Sequence, residues 1–272
     1  MQLERVPRVR SPNVGLGGIP RHWFGGNVVA THVANGVNLL FPAGERFFIR
    51  SVRHYLDRIE DPELRARIKG FFGQEGRHSK EHDDFNEILE GQGYEVQRFL
   101  ALYERIAYGF IERVAPPRLR LSTTAACEHF TAILAENALR MRFLDIADPA
   151  MRSLLLWHAA EEIEHRSVAY DVLQLVDPSY AMRVAGLAMA AACLGGFWAA
   201  GTLHLLAQER KLGSKASLHA DWKSMREYRS SLGERRFVFL EGIKQYLQPG
   251  FHPSQNDVDR LASEYLTSVG LA

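Results

Sequence analysis

The sequence has few of the features that mark secreted or nucleic-acid-binding proteins. Only two cysteines, Cys127 and Cys193, occur among 272 residues. They are too few for a disulfide framework or a cysteine-ligated metal site, so we expect reduced thiols in a cytosol. The formal net charge of +1 leaves no excess of positive charge to neutralise phosphates. The first 26 residues contain no continuous apolar run, which argues against a secretory signal. We therefore predict a cytoplasmic protein that binds no nucleic acid.

The sequence also lacks strand patterns, because no segment shows a sustained alternation of apolar and polar residues. Apolar residues after position 42 instead recur at three- and four-residue steps, as Phe48 and Val52 do, and this is the period of a helix. The predicted fold class is all-α. We expect an irregular N-terminal arm over 1–42, a helical bundle over 43–180, and a C-terminal helical extension packed on the bundle over 181–272.

Proline positions indicate where individual helices begin and end. The Asp-Pro pairs at 61–62 and 148–149 predict helix starts, because proline is favoured in the first helical turn. From these signals and the apolar period we expect long helices over the ranges 62–90, 95–114, 118–146, 149–176 and 222–247.

One segment, 184–207, contains no Asp, Glu, Lys or Arg in 24 residues, a length that would allow a membrane span. Half of these residues are alanine or glycine, which bury little apolar area and let helices approach closely. Two interpretations stay open at this point. The segment is either a helix buried in the protein or at a homodimer interface, or a helix that associates with a membrane.

Acidic residues and histidines occupy positions that the helical period assigns to core-facing side chains. They lie on four helices and are Glu45, Glu75, His78, Glu128, Glu162 and His165. An ionised carboxylate that faces a core is costly unless it is paired or bound to a cation. Two divalent cations would neutralise four converging carboxylates. The alternative is a buried ion-pair network with the neighbouring Arg46, Arg77 and Arg166.

The spacing of these residues repeats. The segments Glu75–His78 and Glu162–His165 are both Glu-x-x-His, a spacing that places both side chains on one helix face. A lone glutamate precedes each motif: Glu45 by 30 residues (75 − 45), and Glu128 by 34 residues (162 − 128). This order is the ligand set of carboxylate-bridged di-iron and di-manganese bundles. The sequence therefore predicts a dinuclear metal site.

Four further residues are candidates for the surroundings of this site. His158 stands one helical turn before the second motif on the same face, and we predict it as a seventh metal ligand. His82, four residues after the first motif, is the alternative seventh ligand or an outer partner. Asp84 and Asp171 each follow a motif histidine by six residues and could accept the N–H of a ligand imidazole. Surface salt bridges are the alternative for both aspartates.

Residues 43–176 resemble a ferritin-like di-iron carboxylate protein, and the whole chain resembles a bacterial family labelled predicted metal-dependent hydrolases. The segments that carry this resemblance are Gly44–Phe47, Gly73–His78, Glu128–His129, His158–His165 and Pro249–Pro253. The His158–His165 helix is also similar to the ligand helix of di-iron arylamine N-oxygenases. The resemblance implies a ferritin-like helical bundle with additional C-terminal helices.

Mixed carboxylate and imidazole ligands suit Fe(II), Mn(II) and Zn(II), and we expect two divalent ions, with iron as the first choice. The likeness to oxygen-activating proteins favours oxidation or oxygenation of a small apolar molecule, with O₂ and an electron donor as partners. Hydrolysis by a metal-bridged water is the alternative, and ferritin-like metal storage is the third expectation. No catalytic residue beyond the metal ligands is predicted.

Overall fold

The computed structural model describes residues 6–12, 14–210, 217–232 and 238–272. Helices dominate these ranges, and the only β-type pairing within them is an isolated bridge between Phe24 and Ala147. The prediction of an all-α fold is therefore confirmed.

The helices follow one another along the chain with short connections. Their bounds are α1 Val28–Asn38, α2 Phe41–Arg53, α3 Pro62–Gly91, α4 Val96–Ile106, α5 Glu112–Val114, α6 Pro117–Met141, α7 Pro149–His165, α8 Val168–Val176, α9 Tyr180–Leu206, α10 Leu218–Ser231, α11 Val238–Tyr246 and α12 Asp259–Ser268. A π-helical turn, Ala107–Ile111, joins α4 to α5, where the sequence predicted one regular helix. Part of the helix predicted over 222–247 lies outside the described residues.

Both predicted Asp-Pro helix starts are confirmed. The Asp61 carboxylate accepts the backbone N–H of Glu63 at 2.9 Å, and the Asp148 carboxylate accepts that of Ala150 at 3.0 Å. Each aspartate thus satisfies a backbone donor that has no partner within its helix. The proline that follows each aspartate has no such donor to satisfy.

The N-terminal arm is shorter than predicted, because residues 28–38 form α1. Gly36 lies inside this helix, and a Cβ at its position would lie 2.9 Å from the backbone nitrogen of Thr202. The glycine therefore permits close packing of α1 on α9 and does not mark a loop. Of the predicted arm, residues 1–5 and Asn13 lie outside the described residues.

Two helices predicted as continuous end earlier in the structure. α6 ends at Met141, because Arg142 adopts a left-handed conformation with φ of 54°. The helix predicted over 149–176 is divided after His165 into α7 and α8. The guanidinium of Arg166 donates to the Ile163 carbonyl at 2.5 Å and to the Asp259 carboxylate at 2.6 Å. These contacts hold the break directly after the last residue of the second metal motif.

Four helices carry the candidate ligands and form two pairs. α2 packs on α3, and α6 packs on α7, so each helix with a lone glutamate lies against a helix with a Glu-x-x-His motif. Apolar side chains fill the core on two sides of these helices. One cluster includes Leu154 and Trp157, and the other includes Ile68 and Leu121. The ligand positions therefore lie between two apolar layers.

The C-terminal helices cover the bundle. α9 packs along α1 and α6, α11 packs on α6, and α12 packs on α7. Within the described ranges, α9 is the one helix that is long and apolar enough to cross a membrane, and 22% of its most apolar stretch is buried. One face of α9 thus contacts the protein, and its other side chains are half-buried or exposed.

Two glycines of α9 provide a test of this packing. A Cβ at Gly186 would lie 2.5 Å from the backbone carbon and oxygen of Ser122 on α6, whereas a Cβ at Gly195 would meet nothing within 4 Å. We expect Gly186→Ala to lower the free energy of unfolding by on the order of 2 kcal/mol, because rigid backbone must move. Gly195→Ala should raise it by up to ~1 kcal/mol, since alanine favours helix. Urea unfolding followed by circular dichroism measures both, and equal effects would contradict close contact between α6 and α9.

Candidate metal centre

The structure brings the seven candidate ligands together in the interior of the bundle. None is more than 4% exposed. Glu45 comes from α2, the first motif from α3, Glu128 from α6, and the remaining three ligands from α7. Four separate helices therefore direct carboxylates and imidazoles towards one buried region, as the spacing predicts.

Six of the seven candidate ligands, together with His82, contribute atoms to two adjoining groups. The seventh, Glu128, belongs to neither group but lies 2.8 Å from His165. One oxygen or nitrogen from each member of a group lies within 4.8 Å of those from the others; the groups are Glu75, His78, Glu162 and His165, and Glu45, His82 and His158. The groups meet where the Nε2 atom of His158 lies 2.7 Å from Oε1 of Glu162. Such an arrangement has the size and the ligand chemistry to hold metal ions.

Many polar atoms of these side chains have no hydrogen-bond partner. The unpartnered buried atoms are both carboxylate oxygens of Glu45 and of Glu75, Oε1 of Glu128, Oε2 of Glu162, Nδ1 of His78 and Nε2 of His165. Buried polar atoms are nearly always partnered in native proteins, because an unsatisfied one costs free energy. Carboxylate oxygens and imidazole nitrogens are also the donors that divalent metals bind, so the residues present fit a metal centre.

The alternative of a buried ion-pair network with arginine is not supported. Each neighbouring arginine pairs with a carboxylate outside the cluster: Arg46 with Asp83 at 2.9 Å, Arg77 with Glu81 at 2.5 Å, and Arg166 with Asp259 at 2.6 Å. These three guanidinium groups are thus engaged elsewhere. The negative charge of the ligand carboxylates is left for another cation to neutralise.

The pKa values of the buried acids show the cost of this arrangement. Burial and the charge of Glu162 raise the pKa of Glu45 well above its usual range. Burial and the charges of Glu128 and Glu162 do the same to the pKa of Glu75. Burial opposes ionisation of Glu162 as well, but His165 and the hydrogen bond with His158 outweigh it and hold its pKa well below the usual value.

His165 is the main positive group of the metal-free cluster. Burial lowers the pKa of its imidazole, but the charges of Glu128 and Glu162 outweigh this effect and raise the pKa to about 9. Its Nδ1 atom lies 2.8 Å from Oε2 of Glu128, within hydrogen-bonding distance. A proton on this histidine therefore takes over part of the neutralisation that a metal ion would provide.

His158 and His82 lie side by side, and their positions differ. The Nε2 atom of His158 lies between Glu162, at 2.7 Å, and Glu45, at 3.8 Å. His82 lies behind it, with Nε2 at 2.7 Å from Nδ1 of His158 and Nδ1 at 2.6 Å from the side-chain oxygen of Asn38. Burial and the charge of His78 lower the pKa of His158 to about 4, so its imidazole is neutral. This geometry favours His158 as the ligand and His82 as its outer partner.

Glu161 is an outer partner that sequence reasoning missed. Its Oε2 atom lies 3.0 Å from Nε2 of His78, which leaves Nδ1 of that imidazole free for a metal. Arg10 of the N-terminal arm donates to Glu161 at 3.2 Å and to Glu164 at 2.7 Å. The sequence holds no signal for this role, because Glu161 belongs to the helix of the other motif and meets His78 only when α3 and α7 pack together.

The two candidate aspartates take other roles, and both predictions need correction. The Asp84 carboxylate pairs with Lys80 on the exposed side of α3. Asp171 contacts Nε2 of His252 at 2.8 Å and pairs with Arg67, also at 2.8 Å. His252 belongs to the loop after α11 and is no candidate ligand. On α3, a step of six residues places Asp84 on a different helix face from His78. Asp171 belongs to α8, beyond the break after His165, and its carboxylate is taken up by Arg67 and His252.

A second cluster was also missed by sequence reasoning. His22 and His32 meet the carboxylate of Glu209, at 3.1 Å and 2.6 Å, and the hydroxyl of Tyr94 donates to the same carboxylate. Burial opposes ionisation, but these hydrogen bonds lower the pKa of Glu209 to about 2. The Glu209 carboxylate is thus fully partnered within the protein, unlike the ligand acids of the main cluster. The contacts connect the N-terminal arm with the end of α9.

These features define an all-α protein with a buried carboxylate and histidine centre for metal binding. The model of the family described as predicted metal-dependent hydrolase matches residues 8–257, and the chain belongs to this family. Comparison with curated proteins and with solved structures found no match.

The family corrects the functional expectation drawn from the ligand helices. An oxygen-activating oxidase or oxygenase was the first expectation, and hydrolysis was the alternative. The family is described as one of predicted metal-dependent hydrolases, so the finding supports the alternative and overturns the first expectation. The likeness to N-oxygenases rested on one ligand helix, and the same ligands can serve more than one reaction.

Metal uptake should release protons, because the proton on His165 must leave before Nδ1 or Nε2 can bind a metal. The pKa of this imidazole is about 9 in the metal-free protein, so metal affinity should rise as the pH increases towards that value. We expect about a tenfold gain per pH unit for each proton released. Calorimetric titration with Zn(II) in two buffers of different ionisation enthalpy counts the protons. Zero release between about pH 7 and 8 would contradict the assignment.

Replacement of Glu75 by glutamine separates metal binding from folding. The variant removes a buried acid whose pKa is raised by burial and by Glu128 and Glu162, so the metal-free protein should melt at a higher temperature. Metal affinity should fall by at least about a hundredfold, because a ligand is lost. Melting curves and metal analysis test both. Asp84→Asn on the same helix is the control and should change neither. A lower melting temperature with full metal content would contradict the proposed ligand role.

Proposed function

We propose that the protein is a hydrolase that holds two divalent metal ions with Glu45, Glu75, His78, Glu128, His158, Glu162 and His165. The observation that carries the proposal is the set of buried carboxylate and imidazole atoms without a partner, in a chain that belongs to a family described as predicted metal-dependent hydrolase. Two groups of converging atoms, which contain six of these residues and His82, support two ions. Glu128 joins the set through His165, which lies 2.8 Å from its carboxylate. Fe(II), Mn(II) and Zn(II) all suit this mixture of oxygen and nitrogen donors.

Divalent ions in such a site activate water as a nucleophile and polarise the carbonyl or phosphoryl group of a substrate. The protein's contribution is to hold the ligands in place. Glu161 lies 3.0 Å from Nε2 of His78 and thereby orients this imidazole and raises its basicity. The His82 ring plays the corresponding part for His158.

Aromatic side chains keep bulk water away from the ligands. The Trp157 ring lies edge-on to His78 at 4.9 Å between centroids, and Phe71 lies edge-on to His165 at 5.1 Å. Both aromatic side chains are almost completely buried. Exclusion of water strengthens the electrostatic interactions among the ligand side chains. Because the two rings cover their side of the centre, a substrate can approach the ligands only from a side that the rings leave open.

A metal-dependent hydrolase should lose activity with its metal and regain it when the metal returns. We expect protein loaded with Zn(II), Mn(II) or Fe(II) to cleave at least one member of a panel of carboxylic and phosphoric esters. Chelator should abolish the activity, and the metal should restore it. Glu162→Gln should lower kcat/KM by at least about a hundredfold, because it removes a ligand of the proposed site.

Asp84→Asn is the matched control, because Asp84 pairs with Lys80 at the surface. This variant should leave kcat/KM unchanged. The measurement is the rate at which fully metal-loaded protein forms the alcohol or acid product of each ester. The proposal fails if two ions are bound per chain and no ester in the panel is cleaved under any metal.

A further inference from the structure

A cavity of about 100 Å³ lies directly beside the metal centre. Its walls come from α2, the π-helical turn 107–111, α6 and α9. Phe41 and Glu45 form the wall that the cavity shares with the centre. The Phe41 ring contacts His82 and His158 at 4.7 Å and 4.9 Å between ring centroids, and Glu45 directs two unpartnered carboxylate oxygens into the buried region. A molecule in this cavity would therefore reach the ligands from the Glu45 side.

The lining of the cavity is apolar along its length. It includes Phe47, Phe48, Met189, Leu194 and Phe197. Burial raises the pKa of both Cys127 and Cys193, so the two thiols that line the cavity stay neutral. Apolar walls of this kind favour a hydrocarbon group, because its transfer from water is favourable and costs no hydrogen bond.

The polar groups of the lining are mostly satisfied within the protein. The hydroxyls of Tyr103 and Tyr108 bond to each other at 2.5 Å. The hydroxyl groups of Thr123 and Thr131 donate to backbone carbonyls of α6. The Glu112 carboxylate pairs with Arg50 at 2.7 Å. None of these groups requires a polar partner from a ligand.

Two unpartnered polar groups remain among the lining residues. One is the Glu45 carboxylate at the metal centre, and the other is Nε of Arg120. The cavity is thus a small apolar space with the Glu45 carboxylate on the side of the metal centre.

We propose that this cavity binds the aliphatic acyl chain of a carboxylic ester and places the ester group beside Glu45 at the metal centre. The inference rests on the proposed hydrolase function and names its substrate class. The volume is smaller than the ~150 Å³ engineered cavity that holds benzene, so a short chain of about four carbon atoms fits without rearrangement. Hydrolysis breaks the acyl C–O bond of the ester, water supplies the OH group of the acid, and the alcohol leaves with the remaining proton.

A neutral probe tests the cavity without any catalysis. We expect 1-butanol to bind metal-free protein and to raise its melting temperature, because a ligand that binds only the folded state stabilises it. Cys193→Phe fills the cavity from α9 and should weaken butanol binding by about tenfold. Ala192→Phe adds the same ring on the exposed face of the same helix and should leave binding within about twofold of wild type.

A second measurement keeps the test valid if Cys193→Phe folds poorly. Cys193→Leu is a smaller replacement at the same position, and circular dichroism checks its helix content. Equal butanol binding by wild type and both Cys193 variants overturns the proposal, as does failure of butanol to bind the wild type.

Activity then separates the two proposals. With metal-loaded protein, we expect butanoate esters to be cleaved with a higher kcat/KM than decanoate esters, and Cys193→Phe should remove this preference. If butanol binding behaves as expected but no ester is cleaved, the hydrolase function fails and the apolar cavity stands. If esters are cleaved with the same chain-length profile in wild type and Cys193→Phe, the cavity assignment fails and the hydrolase function stands.

Discussion

The burial of four carboxylates in a helical core is the constraint on which the rest of the structure depends. Glu45, Glu75, Glu128 and Glu162 are almost completely shielded from water, and several of their oxygens have no hydrogen-bond partner. In a core of this kind the charges repel one another, and desolvation adds to the cost. Cations that bind between the acids convert this repulsion into attraction. Metal binding therefore offsets the electrostatic cost of packing these four helices together.

Hydrogen bonds and ion pairs connect the ligand side chains with segments outside the four ligand helices. Glu161 bonds to His78 on one side and to Arg10 of the N-terminal arm on the other. His82 connects His158 with Asn38 at the end of α1. The segments outside the four ligand helices therefore orient imidazole rings, which is a role that a covering layer alone would not have. The arm and α1 thus help to position the candidate ligands, through Arg10 and Asn38.

The reaction is where sequence reasoning went wrong, and the cause is chemical. A ligand set of glutamates and histidines can bind iron for oxidation, or zinc and manganese for hydrolysis, because all these ions accept oxygen and nitrogen donors. The family match over residues 8–257, whose description is predicted metal-dependent hydrolase, supports the alternative of hydrolysis. The space next to the ligands bears on the substrate, because an apolar cavity adjoins Glu45. Residues of α2, α6, α9 and the π-helical turn line this cavity. These elements are remote from one another along the chain.

Helical class, the Asp-Pro helix starts and the candidate ligand spacing followed from the sequence alone, because each depends on periodicity or capping within one helix. Only the tertiary structure decided the helical state of 28–38, the break after His165, and the partners of Asp84 and Asp171. It also decided that Glu161 meets His78 and that Glu209 meets the N-terminal arm. Apart from the local Lys80–Asp84 pair, each of these contacts joins residues far apart in sequence. The local helical period carries no information about which distant side chain will be a residue's neighbour.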